Sequence, residues 1–190
     1  MEAFLISITT ISVAEIGDRT QLLSLLLAAR FRRPWPIIAG ILCATLANHA
    51  VAGFVGVWFG SLLKPRALQV VVGISMIAMA LWTLKPDKLD ENAGATSAMG
   101  AFLATLTSFF IAEIGDKTQI ATLALAAAYP NLLAVVAGTT AGMMLANVPV
   151  VFLGKAFADR LPVKAIHVGA AALFMVLGVV FLARALWHYT

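Results

Sequence analysis

The stretch Glu15-Ile16-Gly17-Asp18-Arg19-Thr20-Gln21 occurs twice in the chain, returning as Glu113-Ile114-Gly115-Asp116-Lys117-Thr118-Gln119 with six of seven positions identical. The repetition extends outward on both sides. Residues 5–29 align without gaps on 103–127 at an offset of 98, matching at Leu5/Leu103, Thr9/Thr107, Ala14/Ala112, Leu25/Leu123 and Leu27-Ala28-Ala29/Leu125-Ala126-Ala127. Further on, Ala39-Gly40 returns as Ala137-Gly138 and, after a slip of one residue, Ala47-Asn48 as Ala146-Asn147. Self-similarity at a fixed offset marks a duplicated structural unit.

Both copies of the motif lie inside long apolar runs. The 190 residues are 62% hydrophobic and 12% charged, against about 45–50% and about 25% in soluble domains. A helix needs about 20 apolar residues to cross a hydrocarbon layer about 30 Å thick. With Pro, Gly and charge clusters as punctuation, helices are predicted over 3–29, 36–63, 67–84, 99–128, 132–154 and 164–187. Runs of this kind exclude a soluble enzyme, and their length excludes an outer-membrane barrel of about 10-residue strands. The expected fold is all-α and polytopic, with six transmembrane helices. Residues 1–84 form one three-helix repeat, 85–98 a cytoplasmic linker carrying Asp87, Lys88, Asp90 and Glu91, and 99–190 the second repeat. Three is odd, so the second repeat enters the bilayer from the opposite side, giving the inverted repeat found in many secondary transporters.

The formal net charge of +4 reflects topology and no nucleic-acid partner, because the basic residues sit in short connectors and form no basic face. The odd connectors carry Arg30, Arg32, Arg33, Lys85, Lys88, Lys155, Arg160 and Lys164, and the opposite side only Lys64, Arg66 and Arg184. Eight against three puts the odd connectors in the cytoplasm and both termini outside an inner (plasma) membrane. Met1-Glu2-Ala3 lacks the positive region of a secretory signal, so the first run is expected to be a retained helix. The single cysteine, Cys43, excludes a disulfide framework within the chain.

Mid-membrane carboxylates are the chemical signal. Each ionised one costs about 2.5–3.5 kcal/mol on insertion scales, and Glu15, Asp18, Glu113 and Asp116 lie near the centres of the first and fourth predicted helices. On a continuous helix the i, i+3 spacing puts Glu and Asp on one face, a two-carboxylate claw, with Gln21 or Gln119 one step further. Asn48 and Asn147, and the Thr20 and Thr118 hydroxyls, complete a set of hard oxygen donors suited to Ca²⁺, Mn²⁺ or Mg²⁺. Arg19 and Lys117, at i+4 from the glutamates, are expected to be internal counter-ions. Four carboxylates and two bases leave −2, which one divalent ion or two protons would neutralise. Carboxylates sharing a site also compete for protons. Gly17 and Gly115 allow either close helix approach or a local break in the helix. His49 has Val148 as its aligned partner and reads as structural or cavity-lining; Cys43 and the methionines, Met143-Met144 included, read as packing.

The repeated Glu-Ile-Gly-Asp-Arg/Lys-Thr-Gln resembles the signature of the Gdt-type cation/proton exchangers, which include Golgi and chloroplast calcium/manganese transporters and bacterial MneA-type manganese exporters. Both copies match the family's Glu-x-Gly-Asp-Lys/Arg-Ser/Thr, and the six-span plan covers nearly the whole chain. The resemblance implies movement of Mn²⁺ or Ca²⁺ coupled to protons, with the acidic motif residues as cation ligands and no permanently bound cofactor. A chain this short is similar to the bacterial members, which implies Mn²⁺ export in exchange for entering protons. Spacing and composition alone leave the cargo open between Mn²⁺ and Ca²⁺. They also leave two other readings: an exporter of cationic amino acids, and an intramembrane aspartyl protease using Asp18 and Asp116 as a dyad.

Overall fold

A computed structural model describes residues 1–84, 100–153 and 163–187. Among these, all regular structure is helical: α1 Glu2–Glu15, α2 Arg19–Phe31, α3 Pro34–Leu62, α4 Pro65–Thr83, α5 Ala101–Glu113, α6 Lys117–Ala128, α7 Leu132–Leu153 and α8 Val163–Trp187. Four stretches are long and apolar enough to cross a membrane: α3, α4, α7 and residues His167–Trp187 of α8. They correspond to four of the six predicted spans. The other two, 3–29 and 99–128, are not continuous helices. Each is interrupted at the motif, into α1 and α2 and into α5 and α6. The predicted linker 85–98 and residues 155–162 of the fifth connector lie outside the described residues.

Pro34 and Pro65 each open a helix, where the missing N–H costs no hydrogen bond. The long helices carry large apolar side chains on their outer faces, among them Phe54, Trp58, Leu145 and Val176, all exposed. In a bilayer these meet lipid tails. Their inner faces mix apolar side chains such as Ile41, Met76 and Phe174 with small and polar residues such as Gly40, Thr45 and Asn48.

The course of the helices can be followed through close glycine contacts. On α3, Gly40 lies against Phe102 and Thr105 of α5, and then Gly56 and Gly60 against Leu123 and Ala127 of α6. So α3 runs alongside α5 and α6 in the same direction. On α7, Gly138 lies against Phe4 and Ser7 of α1, and Gly142 against Ile8 and Ser12. So α7 runs alongside α1 in the same direction. Gly40 and Gly138, Phe4 and Phe102, and Ser7 and Thr105 are related by the same offset of 98 as the motif. The helix that follows each motif thus packs on the motif helices of the other copy. α3 and α7 run antiparallel, with Gly53 against Val136 and the Trp35 ring 5.6 Å from that of Phe152. α4 and α8 cross where Gly73 and Gly178 each approach the other's backbone carbonyl.

Helix association in lipid lacks a hydrophobic driving force and depends on such close backbone approach. A Cβ at Gly56 would press into the rigid Leu123 carbonyl. Gly56→Ala is therefore expected to lower stability by about 1–3 kcal/mol, read as a drop in the thermal midpoint of the detergent-purified protein. Gly100→Ala, where an added Cβ meets nothing within 4 Å and only the N-cap of α5 is weakened, serves as the control and should lower the midpoint by less.

Candidate cation site

The site begins with two identical turns. Glu15 is the last residue of α1, Ile16 follows at φ −66°, ψ 122°, and Gly17 has φ 83°. The Asp18 amide then donates to the Glu15 carbonyl at 3.0 Å. These angles define a type II turn, whose third position requires positive φ and so favours glycine. The second copy repeats it, with Ile114 at φ −62°, ψ 119°, Gly115 at φ 72°, and the Asp116 amide donating to Glu113 at 3.0 Å. Asp18 and Asp116 are the N-cap residues of α2 and α6. The Gln21 and Gln119 side-chain oxygens accept from the Gly17 and Gly115 amides, each at 2.8 Å. Both glutamines, expected beside the carboxylates, thus brace the turns with their oxygens. Thr118 donates through its hydroxyl to Asp116 Oδ2 at 2.9 Å, and Thr20 to Asp18 Oδ2 at 3.4 Å. The expected claw on one face of an unbroken helix is therefore corrected. Glutamate and aspartate flank a turn because glycine lets the chain leave the helix between them.

Those turns bring carboxylates of both copies together. Glu15, Asp18 and Asp116 are fully or almost fully buried, and one ligand oxygen from each lies within 4.8 Å of the others. An ion with oxygens at about 2.3–2.6 Å spans about 4–5 Å between ligands, so the triad has the dimensions of a divalent-cation cage. Glu113, also buried, stands apart from this group, its Oε1 accepting from the Thr45 hydroxyl at 2.6 Å. Three of the four expected carboxylates converge.

The bases are shared differently from the expectation. Arg19 Nη2 lies 2.9 Å from Asp116 Oδ1, and Lys117 Nζ pairs with Asp18 Oδ1. Each base reaches the aspartate of the other copy, not the glutamate four residues before it. The reason is local: Glu15 ends one helix and Arg19 begins the next, so the i, i+4 geometry does not exist. Both aspartates are thereby committed to cations, which is not the proton-sharing arrangement of an aspartyl protease dyad. Among the described residues Glu15 and Glu113 have only neutral hydrogen-bond donors, and Oε2 of each has no partner.

The two asparagines complete the exchange between copies. Asn147 donates to Glu15 Oε1 at 3.2 Å and to the Met143 carbonyl at 3.1 Å, while its oxygen accepts from Ser24 at 2.7 Å. Asn48 donates to the Phe110 carbonyl at 3.2 Å, and Gln119 Nε2 lies 3.5 Å from its oxygen. Gln21 Nε2 donates to the Ala146 carbonyl at 3.0 Å. Asn147 therefore meets Glu15 through its N–H, and Ser24 takes up its oxygen. Thr45 and Ser24 were not among the expected site residues. Their only signal is spacing, Thr45 three before Asn48 and Ser24 three after Gln21.

Comparison with known proteins accords with this geometry. The family model described as "Divalent cation/proton antiporter GDT1" matches residues 3–91 and 101–188. A Vibrio cholerae protein named "Putative manganese exporter" is 53% identical over 178 residues, covering 93% of this chain and 88% of its own. A GDT1-like protein of Synechocystis is 29% identical over 201 residues, covering 95% and 96% of the two chains. A chloroplastic GDT1-like protein of rice is 29% identical over 202 residues, covering 90% of this chain and 59% of its own. No solved structure matches the chain. With nearly its whole length matched, and with both copies of the acidic motif folded into the same turn, the chain belongs to the GDT1 family of divalent cation/proton antiporters.

Proposed function

We propose that the protein exports Mn²⁺ across a bacterial inner membrane in exchange for protons, with Glu15, Asp18 and Asp116 as ligands in the conformation described above. The observation that carries this reading is the buried triad drawn from both copies, its oxygens within 4.8 Å of one another. The Vibrio relative named as a manganese exporter supports the cargo.

Charge balance supplies the coupling. Arg19 and Lys117 neutralise the two aspartates, and two glutamates remain. A pocket inside lipid must be close to neutral, so two protons on Glu15 and Glu113, or one divalent ion in the pocket, are equivalent loads. Metal entry from the cytoplasm displaces the protons, and protonation from outside releases the metal. The same reading makes α1–α2 and α5–α6 two discontinuous spans, giving six crossings, with residues 1–84 and 99–190 as inverted repeats joined by a cytoplasmic linker and both termini outside. Support comes from the helix directions. α7 follows α1, α3 follows α5–α6, and α3 opposes α7, as two copies of opposite orientation require. The copies are not equivalent in exposure: the Arg19 side chain is 35% exposed and that of Lys117 0%. One access route open and its counterpart closed is what an alternating-access carrier presents in a single state.

The test is transport in sealed proteoliposomes with an acidic lumen, comparing Mn²⁺, Ca²⁺ and Mg²⁺. Mn²⁺ uptake that collapses when an ionophore dissipates the pH gradient is the expected outcome. Uptake indifferent to the gradient would remove the antiport reading, and a preference for Ca²⁺ would change the cargo but keep the exchange.

A further inference from the structure

Among the described residues His49 is a buried titratable group that this mechanism leaves unused. It sits on α3 with no exposed surface, and neither ring nitrogen has a hydrogen-bond partner. A neutral imidazole carries one donor and one acceptor, and each buried group left unmatched costs about 1–3 kcal/mol. The repeat does not call for an imidazole here: the aligned residue of the second copy is Val148, which follows Asn147 as His49 follows Asn48.

Its position follows from its neighbours along α3. One turn earlier Thr45 holds Glu113, and two turns later Gly56 rests on Leu123. Because α3 and α5–α6 run in the same direction, interpolation between these contacts brings His49 level with Asp116 and Lys117. One turn after His49, Gly53 packs on Val136 of the antiparallel α7. The matching step along α7 leads to Thr140, whose buried hydroxyl also lacks a partner. By this count His49 lies toward the seam of α6 and α7 at about the depth of the acidic motif, on the level of the α7 turn that carries Thr140.

We propose that His49 is a specificity-determining ligand on the cation's path, a nitrogen donor that favours Mn²⁺ and other transition-metal dications over Ca²⁺ and Mg²⁺. The inference rests on the transport reading above. Carboxylate oxygens suit Mg²⁺, Ca²⁺ and Mn²⁺ alike and rank them poorly, whereas imidazole nitrogen is a transition-metal ligand that the two alkaline-earth ions largely avoid. Thr140 contributes an oxygen from the α7 turn at that level. Two orphaned polar side chains at one level are thereby given a common partner, the passing ion.

The experiment measures how much Ca²⁺ is needed to halve Mn²⁺ uptake into proteoliposomes, for the wild type, His49→Val and His49→Gln. The expected result is that this Ca²⁺ excess falls roughly tenfold in both variants, with Thr140→Val moving it in the same direction by less. Should uptake by a variant be too weak to titrate, equilibrium Mn²⁺ binding to the purified protein with Ca²⁺ as competitor gives the same ratio. An unchanged ratio in both His49 variants overturns the proposal, whether total flux falls or not, since a purely structural histidine alters both ions together. A wild type that takes up no Mn²⁺ under a pH gradient instead removes the transport reading beneath it.

Discussion

Asp18→Asn and Asp116→Asn should each reduce pH-driven Mn²⁺ exchange by about a hundredfold or more, yet differ sharply in stability. Both remove a carboxylate from the triad proposed to hold the cation, and loss even of a supporting group around a metal typically costs about 10–100-fold. The difference lies in what each substitution strands. Asp116 pairs with Arg19, whose side chain is 35% exposed, on the side that the transport reading takes as the open access route. Asp18 pairs with Lys117, whose side chain has no exposure at all. Breaking a buried pair from one side costs about 3–5 kcal/mol because the remaining charge loses its counter-ion. Asp18→Asn is therefore expected to lower the thermal midpoint markedly, and Asp116→Asn to leave it close to wild type. Proteoliposome flux and thermal unfolding of the same preparations check both halves. Retained exchange in Asp116→Asn, in a protein shown to be folded, would dismiss the triad as the cation site.

The duplication, the long apolar helices and the identity of the acidic residues were all legible in the sequence, because each leaves a linear trace: an offset, a run length, a charge where lipid forbids one. The interruption of two spans was only half legible. Gly17 and Gly115 permitted a break, but periodicity alone favoured a continuous helix, since the apolar residues continue on both sides of the motif. What decides it is a set of bonds specific to the turn, from the Asp18 amide to Glu15 and from the Gly17 amide to the Gln21 oxygen. They satisfy backbone donors that the broken helix would otherwise leave bare in lipid. The pairing of Arg19 with Asp116 was not legible at all. Within a helix, i, i+4 neighbours are the reasonable guess, and only the packing of one copy's motif beside the other's makes the longer reach shorter. Glu113 teaches the same lesson. Its sequence environment is nearly that of Glu15, yet Thr45 holds it outside the triad, because a single conformation need not treat the two copies alike.

Lys117→Met should be among the most destabilising single changes in the protein, and Asp18→Asn added to it should restore most of the loss. With Lys117 removed, Asp18, Glu15 and Asp116 remain as three buried carboxylates with Arg19 as the nearest base described. The cost of taking the counter-ion from Asp18 is again about 3–5 kcal/mol. The double variant replaces the ion pair by a neutral amide beside an apolar side chain, and exchanging a buried pair for uncharged groups of similar size is often close to neutral. The coupling energy from the double-mutant cycle should therefore be about 3 kcal/mol, with exchange absent in the double variant because a proposed ligand is gone. Added Mn²⁺ discriminates further. In Lys117→Met alone, a divalent ion can take over the role of the missing ammonium, so the thermal midpoint should rise more with Mn²⁺ than it does in the wild type. In the double variant that extra rise should disappear. A double variant no more stable than Lys117→Met would mean that Lys117 supports the fold through contacts other than Asp18, and the reciprocal pairing would lose its place as the device that holds the two motifs together.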